Sequence, residues 1–272
     1  MLTFVPTPIG NLGDISFRTI EVLKDGELIL CEDTRVTKKL ISLISLKFDI
    51  TFPDFDFISL HSHNEKQFLT KENEIILKNK NTIYMSDAGM PCVSDPGSLL
   101  VDFCLKYNIP YDVLPGANAI LTAYASGGFD TTSFTFFGFL PHKGTQRSDM
   151  LYKVLNNEEL SILYESPHRL LKLLEELTKQ DPDRIIFLTK ELTKKYQTRY
   201  KGTTLEIFNQ LKTTTIKGEW VVVIQNIPKA NGTITYDDIK DLKLPPKQKA
   251  KLLSKLTGES VKDIYSRLNT TI

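Results

Sequence analysis

Short apolar segments alternate with amphipathic helical patterns through the first half of the chain. Between the apolar segments, hydrophobic residues recur every third or fourth position, which is typical of helices that bury one face. Strand and helix alternation predicts an α/β domain whose mostly parallel sheet is covered by helices on both faces. The predicted strands are LTFVP (2–6), ELILC (27–31), FISL (57–60), TIYMS (82–86) and YDVLP (111–115), with helices from about Ser16 and Thr34 and over 65–79 and 98–107.

A second group of elements follows Pro115-Gly116, and we predict a domain boundary at 116–117. The loop PHKGTQRS at 141–148 is basic and is expected to be mobile. Predicted strands are FTFFGFL (134–140), LSILY (160–164), RIIFLTK (184–190) and EWVVVIQ (219–225), and predicted helices are 119–128, 168–179 and 204–211. The sequence therefore predicts domains over 1–116 and 117–230.

The composition changes after Ile227, where PKANGT (228–233) is typical of a linker and a Lys-rich segment follows. Three short helical patterns occupy 231–272, two of them joined at Gly258 in the manner of a helix-turn-helix. Seven Lys and Arg against two acidic residues lie between 243 and 267. This excess on a compact unit favours contact with nucleic acid, and a solvated tail is the alternative.

Composition narrows the class of protein. The chain has 272 residues, a net charge of +1 and three cysteines. That charge gives no global signal for nucleic acid or membrane, and the cysteines form neither a disulfide framework nor a metal-ligand pattern. The first predicted strand begins at Leu2, and no apolar run approaches the ~18 residues that span a bilayer. We expect a cytoplasmic protein with no metal and no membrane contact.

The most informative motif is YMSDAGMPCVSDPGSLL, at 84–100. A strand here ends in a loop rich in Asp, Pro and Gly, and a helix begins near Ser98. Such loops present backbone amides and a carboxylate to a ligand. Asp87 is the candidate anchor, while Gly89 allows a close backbone approach. An ordinary strand-to-helix turn is the alternative for this loop taken alone.

Comparable motifs follow other predicted strands. PTPIGNLGDIS (6–16) makes a turn like a nucleotide-binding loop but lacks GxGxxG. In CEDTR (31–35), an acidic residue either pairs with Arg35 as a scaffold or faces a substrate. HSHNE (61–65), YESPHR (164–169) and ELTK (191–194) complete the set.

Together these motifs resemble the bacterial family of small-subunit ribosomal RNA cytidine 2′-O-methyltransferases, which have the tetrapyrrole-methylase-like fold. The resemblance covers nearly all of 1–226, with Met90 and Ala117-Asn118 departing from the pattern. It implies a mixed sheet in the second domain, a basic helix-turn-helix-like extension and a homodimer. It rests on VPTPIGNLGDI, CEDTR, HSHNE, SDAGMPCVSDPG, LPGANAILTA, FFGFLP, YESPHR, ELTK and GEWVVVI, in that order.

The resemblance implies methyl transfer from S-adenosylmethionine to the ribose 2′-hydroxyl of a cytidine in the decoding region of small-subunit ribosomal RNA, within the ribosomal subunit. Positioning would supply much of the acceleration, and the cofactor needs an apolar slot with few polar anchors. The expected cofactor-binding residues are Ile9, Gly10, Asp87, Met90, Asn118, Ala119, Leu163, Leu192 and Gly218.

A base, or a cation beside the developing alkoxide, would assist attack by the hydroxyl. Glu191, Glu165 and Asp33 are the candidate bases, and Lys190 and Arg35 the candidate stabilising cations. We expect RNA contacts from the basic stretch 189–201 and from the C-terminal extension. The named residues are Arg147, Lys194, Lys195, Arg199, Lys247, Lys249 and Lys251. A tetrapyrrole or corrinoid methyltransferase and a non-catalytic RNA-binding assembly factor are the alternatives.

Overall fold

The structure is a computed structural model that describes residues 1–226 and 234–270. The chain divides into two compact units, Met1–Asn226 and Ile227–Ile272. The predicted linker at 228–233 lies outside the described residues. The larger unit holds two five-stranded sheets. The division predicted at 116–117 therefore falls inside this compact unit and stays a prediction.

The first sheet is parallel throughout, with strand order β3-β2-β4-β1-β5. Its strands are β1 (Leu2–Val5), β2 (Leu28–Cys31), β3 (Asp56–Ser59), β4 (Thr82–Met85) and β5 (Tyr111–Val113). The helices between them are α1 (Phe17–Lys24), α2 (Thr34–Phe48), α3 (Glu65–Phe68), α4 (Lys71–Asn79) and α5 (Ser98–Tyr107), with a 3₁₀ turn at Leu12–Asp14.

Apolar residues cover both faces of this sheet. Successive strand residues point to opposite faces, so Phe4 and Tyr84 lie in one core cluster, while Val5 and Met85 lie in another. This confirms the predicted α/β class. The helix predicted over 65–79 is instead two helices, because the Thr70 side chain accepts from the Asn73 amide and starts α4 there.

The second sheet has the order β6-β7-β10-β8-β9; β6 and β7 are parallel and the other pairs antiparallel, which confirms the mixed sheet. Its strands are β6 (Phe134–Phe139), β7 (Leu160–Glu165), β8 (Ile185–Lys190), β9 (Thr198–Thr203) and β10 (Trp220–Ile224). The associated helices are α6 (Ala119–Gly127), α7 (Thr145–Leu155), α8 (Pro167–Gln180) and α9 (Thr204–Leu211).

Two elements of this region differ from the prediction. The segment 141–148 is not wholly a loop, since α7 begins at Thr145. The basic stretch 189–201 contains the start of β9, an edge strand whose sequence TRYKGT has no apolar run to reveal it.

The smaller unit contains α10 (Tyr236–Asp241), α11 (Pro246–Thr257) and α12 (Val261–Thr270). Its core consists of Ile239, Ala250, Leu253 and Ile264. Gly258, with φ of +77°, ends α11. The Ser260 hydroxyl then accepts from the Asp263 amide at 3.2 Å, which caps the start of α12.

Candidate active site

A cavity of about 350 Å³ lies where loops of the first sheet meet strand ends of the second. Parallel pairing places Val5 and Cys31 both beside Met85, so the loops after β1, β2 and β4 emerge at one edge. The loop before α6 and the ends of β7, β8 and β10 supply the other walls. Among the predicted cofactor-binding residues, Ile9, Met90, Asn118, Ala119 and Leu192 line this cavity.

Backbone pairing joins the first loop to the acidic loop. The Thr7 and Gly89 amides each donate to the other residue's carbonyl at 3.0 Å. Gly89 has φ of +87°, and a Cβ built there would lie 3.2 Å from Ile9 Cγ2. Glycine therefore adopts this backbone conformation without strain and leaves room for the close approach of Ile9.

Asp87 lies at the edge of the site and does not line the cavity. Its Oδ1 accepts from the Asp33 amide at 3.2 Å and so ties the loop after β4 to the loop after β2. Burial, opposed in part by that hydrogen bond, raises the pKa of Asp87. Asp87 thus connects two loops of the protein, and its role as the cofactor anchor stays a prediction.

Asp33 and Arg35 pair with each other. A structural pair of this kind was one of the two interpretations of the CEDTR motif. The Arg35 guanidinium donates to both Asp33 carboxylate oxygens, at 3.1 and 2.7 Å, and its amide donates at 2.8 Å. These bonds hold the pKa of Asp33 at about 2. Since such a carboxylate is a weak base and neither side chain lines the cavity, the structure does not support catalytic roles for this pair.

Asp95, which sequence reasoning missed, is a half-buried carboxylate in the cavity lining. Burial, with added repulsion from Glu32 and Asp87, raises the pKa of Asp95 to about 6. A carboxyl tuned towards neutral pH is suited to general base catalysis. The signal in the sequence was the second acidic residue of SDAGMPCVSDPG, which comes before Pro96 and Gly97.

Two buried polar atoms of the second sheet have no hydrogen-bond partner among the described residues. They are Glu165 Oε2 and Thr189 Oγ1, and both residues line the cavity. Glu165 Oε1 accepts from the Ser166 amide at 2.8 Å and lies 3.3 Å from Arg169 Nε. Burial, opposed by these partners, raises the pKa of Glu165. Buried polar atoms left unpaired are costly, so both atoms indicate a ligand that would satisfy them.

Glu191 is already engaged within the protein. Its Oε1 accepts from the Glu219 amide at 2.9 Å and from Lys194 Nζ at 3.0 Å. Burial raises its pKa, but these hydrogen bonds and the lysine charges outweigh burial, and the net pKa is lowered. Glu191 therefore fits a structural role better than that of a base. Gly218 allows this packing, because a Cβ there would lie 2.6 Å from Glu191 Cγ.

Three more predicted residues lie beside the cavity lining. Lys190 Nζ is 6.0 Å from the centroid of the Trp220 ring, which does line it. Gly10 packs against the loop after β8, where a Cβ would approach Leu192 O to 2.9 Å. Leu163 is fully buried in a core cluster and does not line the cavity, so its contact with the cofactor stays a prediction.

Arg147 is the clearest correction among the expected RNA contacts. It is buried, and its guanidinium donates to Glu176 at 2.6 Å and to Pro141 O at 2.9 Å. Lys194 is also engaged within the protein, because its Nζ forms ion pairs with Glu191 and Glu219 at 3.0 Å each. By contrast, Lys195, Arg199, Lys247 and Lys251 are exposed, whereas Lys249 is half-buried and donates to Lys240 O.

Within 1–226 and 234–270, no group of three or more His, Cys, Asp and Glu side chains is placed to hold a metal ion. The same residues include no helix long and apolar enough to cross a bilayer.

The fold and cavity define the class of protein. The family profile of the tetrapyrrole (corrin/porphyrin) methylases matches residues 1–207. Solved structures with the same fold include diphthine synthase (TM-score 0.60, 13% identity, 83% of this chain and 89% of that chain). Cobalt precorrin-4 methyltransferase is another (TM-score 0.59, 13% identity, 82% and 94%). A third is uroporphyrin-III C-methyl transferase from Thermus thermophilus, complexed with S-adenyl homocysteine (TM-score 0.55, 14% identity, 82% and 96%).

Curated relatives narrow the assignment. Ribosomal RNA small subunit methyltransferase I of Campylobacter fetus is 49% identical over 99% of this chain and 100% of its own length. The protein of that name from Helicobacter pylori strain J99 is 45% identical over 97% and 96%. The chain belongs to this family of tetrapyrrole-methylase-fold enzymes. The prediction of an S-adenosylmethionine-dependent methyltransferase is confirmed at the level of the family.

Proposed function

We propose that this protein transfers a methyl group from S-adenosylmethionine to the ribose 2′-hydroxyl of a cytidine in the decoding region of small-subunit ribosomal RNA. Family membership supports the methyltransferase activity and the RNA substrate. The observation that carries the chemistry is the cavity, in which apolar walls enclose two unpaired polar atoms and Asp95.

The residues present fit the cofactor. A cavity of about 350 Å³ is within the range for small-molecule sites, roughly 300–1,000 Å³. Ile9, Leu192 and Val221 are nearly buried and give it apolar walls. Glu165 Oε2 and Thr189 Oγ1 would satisfy polar groups of the cofactor, which supplies an electrophilic methyl group on a positively charged sulfur.

The charge of the lining supports a cationic ligand. Asp95, Glu165 and Glu219 line the cavity, and the described lining residues include no Lys, Arg or His. Carboxylates attract a positively charged ligand.

Asp95 is the proposed general base, in place of the three candidates taken from the sequence. Its carboxylate would accept the proton of the 2′-hydroxyl as the new oxygen–carbon bond forms and the sulfur–carbon bond breaks. A pKa of about 6 leaves most of Asp95 ionised at neutral pH. Positioning of hydroxyl and methyl group in line would supply much of the remaining acceleration.

Direct transfer tests the proposal. Small ribosomal subunits and naked small-subunit RNA from a strain that lacks this gene are incubated with the protein and radiolabelled S-adenosylmethionine. We expect label in RNA and a new site of resistance to alkaline cleavage at one cytidine. Label on a base, or on no RNA, would contradict the proposal. Cofactor binding without transfer to either RNA, measured by calorimetry, would favour a macrocycle substrate, and no binding would favour an assembly factor.

The C-terminal unit is proposed to contact RNA phosphates. Replacing Lys247, Lys249 and Lys251 by alanine should weaken RNA affinity and flatten its dependence on salt, by about one unit of slope for each phosphate that is no longer neutralised. Cofactor affinity should not change. The matched control replaces the exposed Lys39, Lys66 and Lys71. An unaltered slope in the first triple variant would exclude this unit as the RNA-binding surface.

A further inference from the structure

We propose that Phe139 binds the target nucleotide by stacking on its pyrimidine base, an inference that rests on the proposed function. Phe139 ends β6 and lines the cavity. It belongs to the FFGFLP motif, whose residues have no chemical role among the sequence predictions. A pyrimidine held there would stand beside the same cavity that holds Asp95.

A β-bulge directs this ring to the cavity. Along β6, Phe136 pairs with Ile162 and Phe139 pairs with Tyr164, with a shift of register between Phe136 and Gly138. Ile162 and Tyr164 share a sheet face, since they are two residues apart. Phe136 and Phe139 therefore share that face although three residues separate them. Phe137 packs against the core of the opposite face.

Without the bulge, Phe139 would point to the same side as Phe137, away from the ring of Tyr164. Gly138 has φ of +66°, a conformation that glycine adopts without strain. Bulges occur beside active sites, where they redirect a side chain. The glycine thus reverses the direction of one large ring at the end of the strand.

The ring remains accessible at the cavity rim. Phe139 is 55% exposed, whereas Trp220 and Val221 in the same lining are 3% and 6% exposed. Its inner neighbour is Tyr164, with ring centroids 5.6 Å apart and an interplanar angle of 57°. The Phe139 ring is consequently held on one side and open to solvent on the other.

Base stacking fits this arrangement better than a cofactor wall. RNA-binding proteins bind unstacked bases on aromatic side chains, and enzymes that modify a nucleotide take it out of its stack. The buried part of the cavity, beside Ile9 and Leu192, suits a cofactor that must be shielded from water. The open rim suits a nucleotide that arrives with a large RNA.

Substitution of the ring tests the proposal. Phe139→Ala should lower kcat/KM for RNA about 5- to 150-fold, the effect of removing one stacked aromatic ring. Phe139→Trp and Phe139→Tyr should restore most of it. The decrease should be nearly the same at low and high salt, because stacking does not involve ion release. Cofactor Kd from calorimetry should change less than twofold.

The matched control is Phe17→Ala, which removes an exposed ring of α1 outside the cavity lining. Its kcat/KM should equal that of the unmodified protein. Unchanged kcat/KM in Phe139→Ala, or a parallel loss of cofactor affinity, would overturn the assignment. Absence of RNA methylation by the unmodified protein would overturn the proposed function and this inference together, whereas normal transfer that is insensitive to Phe139 would overturn this inference alone.

Discussion

The two sheets of Met1–Asn226 contribute to the cavity in different ways. The parallel sheet contributes loops, in which glycine and backbone pairing set the shape, as at Gly89, and in which Asp95 is placed. The mixed sheet contributes side chains on its strands, including Tyr164 and Thr189, which flank Val221 in register. Loops can therefore set the pKa of a carboxylate and approach a ligand closely, while strands hold polar atoms at fixed positions.

Asp95→Asn should have the largest effect on methyl transfer, and it tests the contribution of the loops of the parallel sheet. Loss of a general base typically costs about 10²- to 10⁴-fold in rate. We expect that loss in kcat for methyl transfer, with cofactor Kd little changed. Asp102→Asn, at an exposed position of α5, is the control. Full activity of Asp95→Asn would remove the carboxylate from the mechanism.

The pH dependence sharpens this test. Because the pKa of Asp95 is raised to about 6, transfer should increase as pH rises through about 6, and the asparagine variant should lack this rise. The folded state holds the proton more tightly than the unfolded chain, so stability should decrease as pH rises between about 4 and 6. Asp95→Asn should therefore be the more stable protein at pH 7, by roughly 1 kcal/mol after solvent screening, in denaturant titrations.

Gly89→Ala should have an intermediate effect by changing the shape of the loops. The left-handed backbone costs about 1–2 kcal/mol for alanine, and the new Cβ would press on Ile9 at 3.2 Å. We expect cofactor Kd to rise about tenfold, near 1.4 kcal/mol, by calorimetry. The control is Gly128→Ala. Gly128 also has a left-handed backbone, with φ of +59°, but an added Cβ would lie near only Lys201 Nζ, at 3.8 Å. The Gly128→Ala variant should lose a similar amount of stability and keep its affinity for the cofactor. Equal cofactor affinities in the two variants would contradict the assignment of Gly89 to the cofactor site.

Thr189→Val should have the smallest effect, a modest rise in cofactor Kd, and it tests the contribution of the strands of the mixed sheet. Its hydroxyl has no partner among the described residues, so removal should leave the free energy of unfolding unchanged or slightly higher. Cofactor Kd should rise about five- to tenfold, for the removal of one hydrogen bond. Thr204→Val gives the opposite outcome, because the Thr204 hydroxyl donates to Asp181 O at 2.6 Å: stability should fall and Kd should stay the same. A Thr189→Val variant with unchanged Kd would leave the strands of the mixed sheet without a role in binding.

The sequence by itself determined the α/β class, the strands of the parallel sheet and the basic C-terminal helices. Continuous apolar runs such as TIYMS and WVVVI reveal buried strands, because both of their faces must be covered. The motifs at strand ends located the loops after β1 and β4, and with them Ile9 and Met90. Each of these signals is local, so the chain displays it before it folds.

The tertiary structure alone decided what each polar group does. Burial with nearby charges raised the pKa of Asp95, while the distant Glu219 amide engaged Glu191, although both are acidic residues in strand-end motifs. Arg147 has a basic sequence context but is buried against Glu176. A single bulge, at Gly138, decided the face on which Phe139 lies. These outcomes depend on partners distant in sequence, and no local pattern encodes a partner's position.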